Sequence, residues 1–129
     1  MRALAVVLCA VVIPATACAD QFDLVCSLVT SVHGGRAAPS GDVHFRLDTS
    51  RNYFCVNDCN DVIAIQAVTP DKIITSNGST DGFYVYSAYF DRADGTYHLT
   101  KLGPRGAPIL QSDGPCRKEP FSGFPAAKF

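Results

Sequence analysis

From Asp20 onward, apolar and polar residues alternate along the chain, the two-residue period of strands with one buried face. Phe22, Leu24, Cys26 and Leu28 share one face of a first strand. Val43, Phe45 and Leu47 define a second, with His44, Arg46 and Asp48 turned the other way. Residues 53–56 make a short third segment. Residues 62–68, rich in β-branched side chains and bounded by Asp61 and Pro70, predict another, and residues 72–75 one more. Residues 83–90 form the most apolar strand. Phe83, Val85, Ser87 and Tyr89 lie on one side of it, and Tyr84, Tyr86, Ala88 and Phe90 on the other. Residues 96–102 and 108–111 complete the set. Almost nothing in the mature chain reads as helix.

Turn chemistry separates these runs. A glycine-rich loop covers residues 33–42. Residues 57–61 (Asn-Asp-Cys-Asn-Asp) are dense in side chains that bond their own backbone. Asn77-Gly78 and Asp94-Gly95 are dipeptides that accept positive φ at the centre of a two-residue hairpin. Pro115, Pro120 and Pro125 predict an irregular tail from about residue 114. Its phenylalanines, Phe121, Phe124 and Phe129, are expected to lie on the surface of the sheet and cover apolar area. The expected fold is therefore all-β: a small antiparallel β-barrel or sandwich of about eight short strands. Eleven of the twelve acidic residues are Asp and only Glu119 is Glu, a skew that favours tight turns over helix.

The first nineteen residues are of another kind. Arg2 precedes an apolar run over residues 3–13, then Pro14 and the small residues Ala15, Thr16, Ala17, Cys18 and Ala19. A charged start, a short apolar stretch and an A-x-A exit form a secretory signal peptide. Eleven residues span only about 16 Å as a helix, short for a bilayer, so no transmembrane segment is expected in the mature form. Cleavage fits after Ala17 or Ala19; the second cut leaves a single β domain over residues 20–129. Export to the periplasm or medium follows. The run ending in Cys18 also loosely resembles a bacterial lipoprotein box, which would make the protein lipid-anchored.

Export changes how the cysteines are read. Cys26, Cys55, Cys59 and Cys116 remain, and four cysteines allow three pairings. Cys26–Cys116 would tie the first strand to the last, and Cys55–Cys59 would pin a turn. A zinc site is the alternative, but Cys-x3-Cys with two distant cysteines is poor zinc spacing. Loss of Arg2 with the signal leaves ten basic groups against twelve acidic ones, with no basic stripe to suggest nucleic acid as a partner. A monomer is expected.

Candidate chemistry is sparse. There is no Gly-x-Ser-x-Gly, Ser-x-x-Lys or His-Glu-x-x-His. His33 lies in a loop, while His44 and His98 are strand positions expected to point outward. An acid–base or metal site would require His44 and His98 to converge on one Asp. Residues 57–61 and 91–95 have calcium-loop character but lack a bidentate Glu. Asn77-Gly78-Ser79 is a glycosylation sequon by pattern. No cofactor and no metal are expected. The aromatic strand offers the most informative surface: one of its faces must be core, and clustered aromatics on the other would mark a binding patch.

Two resemblances extend this reading. Phe22-Asp23-Leu24-Val25-Cys26, Tyr53-Phe54-Cys55, Gly114-Pro115-Cys116 and the Phe/Pro-rich end resemble small exported bacterial proteins of unknown function, which implies no particular activity. Tyr97-His98-Leu99-Thr100-Lys101-Leu102-Gly103 is similar to the aromatic-led Thr-Lys-Gly segment of exported inhibitors of c-type lysozyme, with Leu102 standing before the glycine. In residues 79–84 (Ser-Thr-Asp-Gly-Phe-Tyr) the partner segment of that family lacks its glycine after the serine and has Tyr84 one place late. The resemblance implies an eight-stranded barrel that blocks a hydrolase. The sequence thus leads to an exported, non-catalytic binding protein with an unidentified protein partner. Its expected surface comprises Tyr84, Tyr86, Phe90, Tyr97, Thr100 and Lys101. The alternatives are a hydrolase inhibitor acting through a loop at Thr100-Lys101, and a carrier of a small apolar ligand. The carrier would need an open interior, which the many large side chains are expected to fill.

Overall fold

The computed structural model describes residues 20–82 and 84–126, with the backbone alone for residues 79–81. The predicted signal segment, with Cys9 and Cys18, lies outside the described residues, as do Phe83 and Phe129.

Among the described residues nine strands follow one another: β1 (Gln21–Val32), β2 (Ala38–Asp48), β3 (Tyr53–Val56), β4 (Ile63–Ala64), β5 (Ala67–Val68), β6 (Lys72–Asp81), β7 (Tyr84–Asp91), β8 (Thr96–Leu102) and β9 (Pro108–Pro120), with one 3-10 turn at Pro104–Gly106. They form a single antiparallel sheet in the order β4-β3-β2-β1-β9-β8-β7-β6-β5, curled into a half-barrel. Because every ladder is antiparallel, β4 and β5 run in the same direction. They are two arms of one bent strand, the first paired with β3 and the second with β6. Between the arms, Ile65 N–H donates to Asn52 C=O and Gln66 N–H to Ile74 C=O, so this segment bridges the two edges of the sheet. Residues 62–68, expected as one continuous strand, thus change partner midway, and Ile65 turns its side chain into the core at the switch.

The concave face carries the predicted apolar alternation. Cys26, Leu28, Phe45, Leu47, Phe54, Ile65, Ile73, Ala88, Phe90 and Tyr97 form one buried cluster. At its centre Phe45, Phe90 and Tyr97 pack ring to ring, with centroids 4.9, 4.8 and 4.8 Å apart. Such aromatic contacts contribute about 1 kcal/mol each beyond the area they bury. The three rings plug the middle of the half-barrel. Both expected disulfides are present, Cys26–Cys116 between the paired strands β1 and β9 and Cys55–Cys59 across the turn after β3. Two closed bridges fit an oxidising, extracytoplasmic environment. No helix among the described residues is long and apolar enough to cross a membrane.

Two expectations need correction. The tail is not irregular from residue 114: β9 continues to Pro120 between β8 and β1. The β1–β9 ladder skips Gly114 and Pro115 without losing register, so the missing proline N–H falls in a gap. Gly114 makes the gap possible, since a Cβ there would lie 2.8 Å from the Ser27 carbonyl carbon and 3.0 Å from the Leu28 Cα. Likewise, Asn77-Gly78 is not a hairpin turn. It is a bulge inside β6, where Gly78 takes φ 70° and the strand runs on to turn at Gly82. Asp94-Gly95 does lie in a turn, but one of four residues closed by Gly95 N–H to Asp91 C=O.

On the convex face the part of β1, β2 and β3 around Asp23 and Asp48 is also covered. Val25, Asp23, Asp48, Cys55 and Cys59 are buried there. Residues 121–126 fold back over it: Ser122 donates to Asp23, Arg46 donates to the Gly123 carbonyl, and the rings of Phe121 and Phe124 meet edge to face at 5.3 Å. Phe121 and Phe124 are both half-buried.

Candidate functional site

The strands of the half-barrel differ in length, and this opens one end of it. β3 stops at Val56, opposite Phe45, whereas β7, β8, β9 and β1 continue past the aromatic plug to an upper rim of turns at residues 33–37, at Gly82 and at residues 103–107. Their concave faces have no facing wall there. A straight row of paired residues crosses this shelf: Val32 with Leu110, Leu110 with Lys101, and Lys101 with Tyr86. Tyr84 stands one pleat beyond Tyr86 on the same face.

Lys101 is the centre of the shelf. Its Nζ lies 4.1 Å from the Tyr84 ring centroid and 5.3 Å from that of Tyr86. The alternation that sends Ala88 and Phe90 into the core sends Tyr84 and Tyr86 to the same concave side, so β7 delivers both rings and β8 delivers the cation. Such contacts contribute roughly 0.5–1 kcal/mol at exposed sites and fix the direction of the ammonium. Next to the row, Thr30 Oγ1 lies 2.8 Å from Ser40 Oγ and 2.6 Å from Ser112 Oγ, a hydroxyl cluster that alternation alone does not reveal.

Of the six residues expected to form the binding surface, the fold brings Tyr84, Tyr86 and Lys101 together. Phe90 and Tyr97 belong to the plug, at 3 % and 7 % exposure, and are not surface. Burial pushes the Tyr97 hydroxyl up to about 12, so it stays neutral. Thr100 points to the convex side, paired with Ser87 and Gln111. The expected loop at Thr100-Lys101 is instead the later part of β8, because the Leu102-Gly103 step postpones the turn to Gly103–Ala107.

His44 and His98 occupy the convex face, as expected, but do not converge. His44 Nε2 lies 2.8 Å from Asp23 Oδ2, which also accepts from Ser122 Oγ at 2.5 Å. His98 Nδ1 lies 2.7 Å from Asp113 Oδ1, its Nε2 is 2.8 Å from Thr96 Oγ1, and its ring stacks on Tyr89 at 4.9 Å. Two strands, β1 and β9, lie between the two histidines. Among the described residues no group of three or more His, Cys, Asp or Glu side chains could hold a metal. Asp48 is fully buried, and burial pushes its carboxyl up. Hydrogen bonds from Ser50, Gln21 and Arg51 outweigh this and hold it well below the usual carboxylate range. Thr96 does the same for exposed Asp94, whose carboxyl is also lowered.

Among the described residues, hollows lie on either side of the plug. The upper, about 390 Å³, runs from Phe45 and Tyr97 toward Val56 and Ile63. The lower, about 330 Å³, lies under Phe90 between β1, β9 and β6. No protein family, curated protein or solved structure matches the chain.

Proposed function

We propose that the chain is an exported, non-catalytic binding protein, periplasmic or secreted, that meets a protein partner with the upper concave shelf. The observation that carries this reading is Lys101 held against Tyr84 and Tyr86 on a surface with no facing wall. Tyrosine supplies large contact area at little conformational cost and is enriched where interfaces concentrate their energy. Val32, at 52 % exposure, extends the apolar area across β1. The aromatic plug speaks against a carrier with one continuous interior cavity. A hydrolase is one class of partner, by the resemblance of the Lys101 segment. Lys101 would be the group it receives, whereas Thr100, on the opposite face, would take no part.

The test is capture from periplasmic and medium fractions on the immobilised wild-type protein, on Tyr84→Ala and Lys101→Ala, and on Val29→Ala as a convex-face control. The reading expects a retained partner that both shelf variants lose and the control keeps. Identical capture by all four proteins would remove the shelf from the interface.

A further inference from the structure

The lower hollow combines an apolar wall with positive charge at its mouth. Phe22 and Leu24 of β1, Ile73 of β6 and Phe90 of β7 line it, and the Cys26–Cys116 bridge backs it. A volume of about 330 Å³ is at the small end of the range for small-molecule sites, about 300–1,000 Å³.

The mouth is built by the end of β9. Strand β8 begins at Thr96, paired with Pro115, so residues 117–120 of β9 have no strand partner on that side. Cys116 N–H donates to the Gly95 carbonyl on that side. Backbone direction alternates along a strand, so Lys118 N–H also faces the open side, above the hollow. The proline at position 120 removes the next such donor. Lys118 Nζ lies 4.8 Å over the Phe22 ring, and no carboxylate pairs with it among the described residues. Arg92 lines the same mouth, its Nη1 donating to the Thr69 carbonyl and leaving further donors available. Among the described residues that line the hollow, one carboxylate, Asp91, accompanies these two cations, and its Oδ1 already accepts the Ala93 N–H.

We infer that the lower hollow is a binding site for a small apolar monocarboxylate, an aliphatic chain or single ring whose carboxylate is received by Lys118 and Arg92. The apolar body lies against Phe22, Leu24, Ile73 and Phe90. The carboxylate meets the Lys118 ammonium, with the Lys118 N–H as a second donor. This site is independent of the upper shelf and lies beyond the plug from it.

The test uses the disulfide-intact protein with octanoate as probe and octanol as its neutral counterpart, followed through the methyl NMR signals of Leu24 and Ile73. Octanoate is expected to shift both methyls saturably. Lys118→Met keeps an aliphatic cover on Phe22 but removes the charge, and should weaken octanoate by about tenfold or more, as loss of a charge-assisted contact does, while leaving octanol unchanged. Lys101→Ala should leave octanoate binding as in wild type. No saturable shift at millimolar octanoate would overturn the inference. So would equal octanoate affinity in Lys118→Met, or an octanoate response that follows Lys101.

Discussion

The two flanks of the sheet carry the same motif with opposite consequences. On β1 and β2, a strand histidine meets a neighbouring aspartate, His44 with Asp23. On β8 and β9 it happens again, His98 with Asp113. Asp23 is 1 % exposed because residues 121–126 lie over it and Ser122 bonds it, whereas the Asp113 side chain is 57 % exposed. Alternation assigns a residue to a face of a sheet. Whether that face meets solvent depends on what else the chain folds over it. Around Asp23 and Asp48 the β1–β3 flank is covered on both faces and is where the fold is locked; the β7–β8 flank is covered on one face at most and is the side we propose a partner reaches.

The sharpest way to break this contrast is to cut the lock. Cys26→Ala with Cys116→Ala frees a span of 90 residues, and the loop-entropy argument assigns that bridge about 4.6 kcal/mol. Removing Cys55–Cys59, with a span of 4 residues, should cost about 2 kcal/mol by the same argument. Thermal or urea unfolding of the two double variants measures the gap, and equal losses would contradict it.

A second comparison uses the twin pairs directly. Asp23→Ala strands His44 and Ser122 beneath the tail and should cost about 2–3 kcal/mol. Asp113→Ala breaks an exposed pair and should cost about 0–1 kcal/mol. Urea midpoints decide this, and similar losses would mean that the tail does not cover Asp23.

Acid should weaken the covered flank through Asp48. Its folded-state carboxyl lies below the ordinary value, so its contribution is fully present at neutral pH. That contribution starts to fall as pH drops through the unfolded value, about 4, and is gone once pH passes below the lower folded value. Asp48→Asn should flatten the acid limb of stability against pH; an unchanged limb would assign acid sensitivity elsewhere. The smallest effect belongs to the open flank. Tyr84→Ala and Lys101→Ala should each change stability by no more than roughly 1 kcal/mol, so any loss of partner capture would not reflect unfolding.

The same contrast explains what could be read from residues alone. Alternation in 22–28 and 43–47 identified the concave face, and β3 and β8 lie where their patterns place them. Cysteine position within strands favoured the observed pairing. The failures share one cause, which is that a neighbour decided the outcome. Asn77-Gly78 can turn a hairpin, but β7 continues to pair alongside it, so the glycine serves a bulge. Pro115 reads as a strand breaker until β1 is seen to leave a gap beside Gly114. Tyr84, Tyr86, Ala88 and Phe90 share one face, yet the short β3 wall leaves the first two open and the plug buries the last. The shelf residues were therefore half legible: the aromatic run stood out, but separating Phe90 and Tyr97 from Tyr84, Tyr86 and Lys101 required knowing where the opposite wall ends.

Amide hydrogen exchange on the disulfide-intact protein tests the contrast between the flanks most directly. The slowest amides should lie in Asp23–Cys26 and Phe45–Leu47, and exchange should quicken toward Tyr84–Tyr86 and the upper end of β8. Equal protection along both flanks, or slower exchange at Tyr84–Tyr86 than at Asp23–Cys26, would contradict a fold locked on one flank and open on the other.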